Sequence, residues 1–296
     1  MCSNKKQEAP ETLPYDGIIR TGSKGISHSA RIETAGDPHA NQKVLESGAQ
    51  SKQAAGVEGK RWPCYTRPQY MGAWPWEQRE MKNMELTRFN MIEQQIRPWD
   101  VLDTRVLDLL KKVKREQFVP ASHQALAFMD IEVPLGHHAA MWLPKVEARA
   151  LQALQVTAQD RVLEIGSGSG YFTALLARQA AHVTSVEIVP ELHAFAEKNL
   201  AAHHIDNVEL HVGDGAQGWG GTYDVIVLTG SVPVLPQRFL DSLKSGGRLF
   251  AIVGDAPAMQ AQLTTCSAAG RYETTVQFET NVAPLQNALQ PERFVF

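Results

Sequence analysis

The chain has 296 residues, 43% hydrophobic and 21% charged, enough for a sizeable core in one or two domains and unlike a fibrous or wholly disordered protein. A formal charge of -3 argues against a protein whose main task is gripping nucleic-acid phosphates, since that grip needs massed Lys and Arg, and leaves a local basic patch open. Cys2, Cys64 and Cys266 are odd in number and far apart, which excludes a disulfide framework and a Cys-x-x-Cys metal site and favours a reducing compartment.

The N-terminal MCSNKKQEAPETLPYDGIIR lacks the apolar run of a secretory signal, and nothing downstream reaches about eighteen uninterrupted apolar residues. The expectation is a cytoplasmic protein that makes no membrane contact. Residues 1–80 show neither helical nor strand periodicity and read as a disordered tail, or as a product of start-site choice, with Met81 and Met84 just ahead of the first periodic segment. Trp62, Trp74 and Trp76 stand among Pro63, Pro68 and Pro75 and read as linker in preference to a docking motif.

Residues 81–145 read as a helical cap and active-site lid. MIEQQI at 91–96 and VLDTRVLDLLKKV at 101–113 predict two short helices, the second with an apolar stripe of Val106, Leu107, Leu109, Leu110 and Val113 and with Asp103 as its N-cap. Lys111, Lys112, Lys114 and Arg115 suit its negative end and read as a solvated terminus, not an RNA patch. A third helix is expected over Ser122–Phe128, followed by an extended loop at Val133–Gly136.

From about residue 146 the pattern changes. A helix through Val146, Ala150, Leu151 and Leu154 leads into strands at 161–166, 182–189, 207–214, 223–230 and 248–254, separated by helices near 171–178, 190–202 and 236–243. Near-continuous apolar strands between helices predict an α/β fold, a Rossmann-like doubly wound and mostly parallel sheet covered on both faces. TVQFET at 275–280 and the terminal RFVF read as closing strands with no helix between.

The sharpest local signal is VLEIGSGSGYFTALLA at 162–177, where a buried strand runs through Gly166, Ser167, Gly168, Ser169 and Gly170 straight into a helix. Glycines there let the backbone turn tightly at the carboxyl end of a strand, where open α/β sheets bind ligands. Glu187 ends the next strand, placed to accept hydrogen bonds from a ribose diol. A dinucleotide fingerprint wants its third glycine one position later, where Tyr171 stands, so a nicotinamide oxidoreductase is disfavoured.

The G-x-G-x-G spacing resembles that of S-adenosylmethionine-dependent methyltransferases, and Glu164, Gly213-Asp214-Gly215 and LKSGGRL at 243–249 agree with it. Within that superfamily the chain is similar, from about Met91 onward, to the protein-L-isoaspartate O-methyltransferases. VKREQFVP at 113–120 resembles the family's V-P-R-E-x-F-V-P, and AFMDIEVPLG at 127–136 its A-Y-x-D-x-x-L-P-I-G. GDGAQGW at 213–219 is close to G-D-G-x-x-G-W, and TGSVPVLP at 229–236 to T-A-A-x-x-x-x-P. The resemblance implies a seven-stranded sheet over 146–296, S-adenosylmethionine as cofactor, and methylation of isoaspartyl carboxylates in damaged protein or peptide, with repair through a succinimide. It further implies that Gly166, Ser167, Gly168 and Gly170 line the methionine part of the cofactor, that Glu187 meets the ribose hydroxyls, and that Asp214, beside Gly215, meets the adenine amino group. For Glu164 a ligand role and a role tying down the glycine-loop amides stand side by side.

One departure is plain. The family has I-S-Q-P after its P-I-G loop, with a serine that positions the substrate, and here Trp142 stands at that place. Indole offers a donor and no acceptor, so another acceptor molecule, or a cofactor-binding scaffold without catalysis, is the competing expectation, and Trp142→Ser is expected to raise isoaspartyl activity. Thr229 and Ser231 are the remaining substrate-side hydroxyl candidates. No general base emerges, and none is required, because a carboxylate is already ionised at neutral pH. Of the pairs His137-His138 and His203-His204, only the first falls in the expected lid, where proton transfer or substrate contact stands as an alternative to a plain lid role, and neither has the ligand spacing of a metal site.

Overall fold

The computed structural model describes residues 75–268 and 270–291. The readings of 1–74, with Trp62 and Trp74, and of the terminal RFVF lie outside them. Helix α1 spans Pro75–Met91, so the boundary expected at residue 80 falls inside a helix. Proline at a first helical position costs nothing, since its missing N–H has no intrahelical partner there. The segment PWEQREMKNMELTRFNM has no apolar stripe, and periodicity therefore gave no sign of it. The helix passes into a π turn at Ile92–Ile96 and a 3-10 turn at Arg97–Trp99 where a separate helix was expected.

Helix α2 is Thr104–Lys112, and Asp103 caps it by accepting the Arg105 backbone N–H at 2.9 Å. The basic run after it divides. Lys111, Lys112 and Lys114 are exposed, as expected, but Arg115 is 1% exposed. Its Nε donates to the Ala127 carbonyl and its Nη2 to that of Trp142, its Nη1 pairs with Glu147, and its guanidinium lies 5.2 Å from the centre of the Tyr171 ring. The expected third helix is a 3-10 turn at Ala121–Leu126, and the expected loop is strand β1, Val133–Gly136, paired antiparallel with β2, Ala139–Met141.

Helix α3, Pro144–Leu154, leads to β3 (Arg161–Ile165), α4 (Tyr171–Ala177), β4 (His182–Glu187), α5 (Pro190–Ala202) and β5 (Val208–Val212). Then come β6 (Tyr223–Val232), α6 (Gln237–Asp241), β7 (Leu243–Val253), β8 (Met259–Ala268) and β9 (Arg271–Thr280). The sheet order is β5-β4-β3-β6-β7-β8-β9, with β3 to β7 parallel and the last two joined as an antiparallel meander. Strand β8 escaped the sequence reading because MQAQLTTCSA mixes Gln and Thr into its alternation and lacks an apolar run. Chain order reverses beside β3, whose neighbours are β4 and β6, and a ligand crevice opens at the carboxyl ends of strands at such a reversal.

The cap does not pack as a separate body. Ile92, Val106, Leu110 and Phe118 belong to the same buried cluster as Val162, Val225 and Phe250 of the sheet, so no break in packing falls at residue 145. A second cluster, with Leu163, Ile165, Ile226 and Phe239, fills the opposite face.

Candidate active site

Strand β3 ends at Ile165, and the chain turns through Gly166, Gly168 and Gly170, at φ +99°, +54° and +79°, into α4. At Gly166 a Cβ would stand 2.2 Å from Thr229 Oγ1, and at Gly170 it would press on the Ala196 backbone at 3.2 Å, so neither position tolerates a side chain. Gly170 serves this close packing against α5 and does not border the cavity, whereas Gly166, Ser167, Gly168 and Ser169 do. The cavity encloses about 920 Å³ including its open mouth, between the strand ends and the β1–β2 hairpin of the cap.

Glu187 anchors the loop from the end of β4. One carboxylate oxygen accepts the Gly168 N–H at 2.9 Å and the other the Val189 N–H at 3.1 Å, and each keeps a lone pair for a ligand in the cavity it borders. Asp214 borders the cavity from beyond β5, accepting the Ala216 N–H at 3.0 Å and the Asn287 side-chain amide at 2.8 Å. Gly215 borders it too.

Glu164 lies elsewhere. It is fully buried and absent from the cavity wall; its Oε2 accepts the hydroxyls of Thr173 and Ser185, and Ser185 shares a 2.6 Å hydrogen bond with Ser167. It is therefore neither a cavity ligand nor a direct clamp on loop amides: it braces β3 against α4 and β4 and reaches the loop through two serines. Its Oε1 has no partner, and burial pushes the carboxyl up to about 8.

The substrate-side candidates separate as well. Thr229 borders the cavity, but its hydroxyl donates toward the Ile165 and Gly166 carbonyls at 2.8 and 2.7 Å and so is committed to the loop. Ser231 is fully buried and does not border the cavity. It anchors the segment that follows β9: its N–H donates to Ala283 O, its carbonyl accepts the Leu285 N–H and its hydroxyl donates to Val282 O. The resulting strap, Ala283–Gln286, forms part of the cavity wall, and no periodicity or motif in the sequence marks it. Trp142 borders the cavity with its indole held edge-on against Phe172 and Phe250, at 5.6 and 6.3 Å, and its Nε1 is sealed from solvent without a partner. Its ring fills space at the cavity edge and offers no acceptor there. Glu147, paired with Arg115, borders the cavity as well and is pushed up to about 7 by burial against the pull of that guanidinium.

The fixed charges of the wall test which cofactor fits. Glu147, Glu187 and Asp214 supply carboxylates, and among the described residues no Lys or Arg borders the cavity. A pyrophosphate would bring net negative charge against these acids, whereas S-adenosylmethionine, whose sulfonium and ammonium outnumber its one carboxylate, brings net positive charge; the residues fit it, with Glu187 and Asp214 placed as candidate polar contacts. Among the described residues no cluster of His, Cys, Asp or Glu has a metal-binding arrangement, and no helix is long and apolar enough to cross a membrane.

Residues 87–289 match the family model described as protein-L-isoaspartate(D-aspartate) O-methyltransferase. A protein-L-isoaspartate O-methyltransferase of Methanoculleus marisnigri is 41% identical over 189 residues, 63% of this chain and 86% of that protein. One from Anaeromyxobacter is 35% identical over 218 residues, covering 73% of this chain and 85% of the relative. In fold, the chain is similar to a Plasmodium falciparum structure described as such a methyltransferase in complex with S-adenosyl-L-homocysteine, at TM-score 0.58 and 19% identity over 69% of this chain and 98% of that one. The match to the family model runs from the cap to the strap, and the chain belongs to the protein-L-isoaspartate(D-aspartate) O-methyltransferase family.

Proposed function

We propose that this protein transfers the methyl group of S-adenosylmethionine to the free carboxylate of isoaspartyl residues in proteins or peptides. The observation that carries the reading is a cavity at the carboxyl ends of β3, β4 and β5, walled by Glu187 and Asp214 and, among the described residues, without a Lys or Arg, in a chain of this family. When bound, the cofactor supplies an electrophilic methyl group on sulfur. The residues of the chain have a limited task, because the acceptor carboxylate is ionised at neutral pH and no proton needs removing. Glu187 orients the nucleoside end and the glycine loop the methionine end, the hairpin and the strap exclude water, and α3 with Trp142 shapes the acceptor side. The three scattered cysteines favour a reducing compartment, and on that ground we place the protein in the cytoplasm.

Labelled methyl transfer to an isoaspartyl peptide, beside its aspartyl twin, tests this. A base-labile methyl ester on the isoaspartyl peptide alone is the expected result. Binding of S-adenosylhomocysteine without transfer to that peptide overturns the acceptor, and no binding of either nucleoside overturns the whole reading.

A further inference from the structure

We propose that His138 is the side chain that grips the acceptor carboxylate. The inference rests on the isoaspartyl reading and names the group that recognises the acceptor's charge. That acceptor brings an anion into a cavity whose fixed charges are Glu187, Asp214 and the Arg115-paired Glu147. Among the described residues bordering it, His138 alone has a side chain able to carry positive charge, and it is exposed. The donors nominated from sequence are committed: Thr229 to the loop carbonyls, Ser231 to the strap, and the Trp142 N–H is sealed away from solvent.

Backbone geometry shows that this position is held at a cost. Gly136 pairs with Ala139 across the hairpin, so His137 and His138 form a two-residue turn, at φ +53° and +62°. Such a turn is filled most easily by Asn and Gly, yet His stands at both places. The Gln286 amide of the strap donates to the His137 carbonyl at 3.4 Å, tethering the tip across the cavity mouth. A ring N–H of His138 donating to one carboxylate oxygen leaves the other free. That second oxygen forms the new C–O bond as the methyl C–S bond breaks with its electron pair passing to sulfur; His138 keeps its proton throughout.

The test uses the full chain and a synthetic isoaspartyl peptide, with KM and kcat measured separately and S-adenosylhomocysteine affinity followed by calorimetry. His138→Gly suits the positive φ, so its melting temperature is expected at or above that of the wild type while KM for the peptide rises about 10- to 100-fold, the loss of a hydrogen bond to a charged group. His138→Phe is expected to raise KM similarly, His138→Gln to recover most of the loss by restoring an N–H donor, and the nucleoside affinity to stay unchanged in all three. Unchanged KM in the Gly and Phe variants overturns the proposal, as does a parallel fall in nucleoside affinity. A wild type that methylates no isoaspartyl peptide refutes the underlying reading, and the proposal with it, before any variant is made.

Discussion

Trp142 shows how one residue changes meaning between sequence and packing. Against the family pattern it is a missing hydroxyl, and Trp142→Ser reads as a restoration. In the folded chain its indole is 5% exposed and wedged against Phe172 and Phe250, so the serine leaves a cavity. Trp142→Ser is expected to lower unfolding free energy by about 3–5 kcal/mol, read from the denaturant midpoint, and any gain in turnover has to be measured on a less stable protein. Glu164 gives a prediction of another kind. Burial raises its carboxyl from an ordinary 4.5 to about 8, so the folded chain holds a proton that the unfolded chain releases. Its contribution to stability is complete below about pH 4.5 and is lost as pH rises toward about 8. Thermal melts from pH 5 to 8 should therefore fall more steeply for the wild type than for Glu164→Gln; parallel curves would place the charge outside the core.

Arg115 joins elements that lie far apart in the chain. Its side chain links the turn after α2 to the Ala127 carbonyl, to Trp142 beyond β2 and to Glu147 on α3, with the Tyr171 ring of α4 beneath it. The hairpin that carries His138 is thereby fixed against the helix that follows it. Arg115→Met strands Glu147 in the core and is expected to cost about 3–5 kcal/mol, whereas adding Glu147→Leu removes the orphaned charge and recovers much of that loss. Chemical denaturation of the two single variants and the double variant gives the coupling directly, and additive losses would show that the two side chains do not act as a pair.

Cap and sheet share a single buried cluster, and the cavity takes wall from both. They are expected to melt together. Calorimetry should show one transition for residues of cap and sheet, shifted upward by roughly 5–10 °C when S-adenosylhomocysteine is present at about a hundred times its dissociation constant, from about 2.7 kcal/mol of linkage. Two transitions, only one of them moved by the nucleoside, would mean that the cap folds independently.

Local patterns carried far in this chain. Apolar runs separated by helices located β3 to β7, and the glycine turn with Glu187 located one wall of the cavity, because strand, turn and helix are written in consecutive residues. Helix α1 and strand β8 left no periodic trace, being polar along their length or mixed in their alternation. The true places of Arg115, Glu164 and Ser231 were illegible for a different reason: a charged or hydroxyl side chain enters a core only if a partner awaits it. For Arg115 the partner stands 32 residues away, for Glu164 it is Ser185 at 21, and for Ser231 it is Val282 at 51. Which distant segments meet is settled by the closing of the sheet and the burial of its two faces, and with it which acids face the cavity and which merely brace its wall.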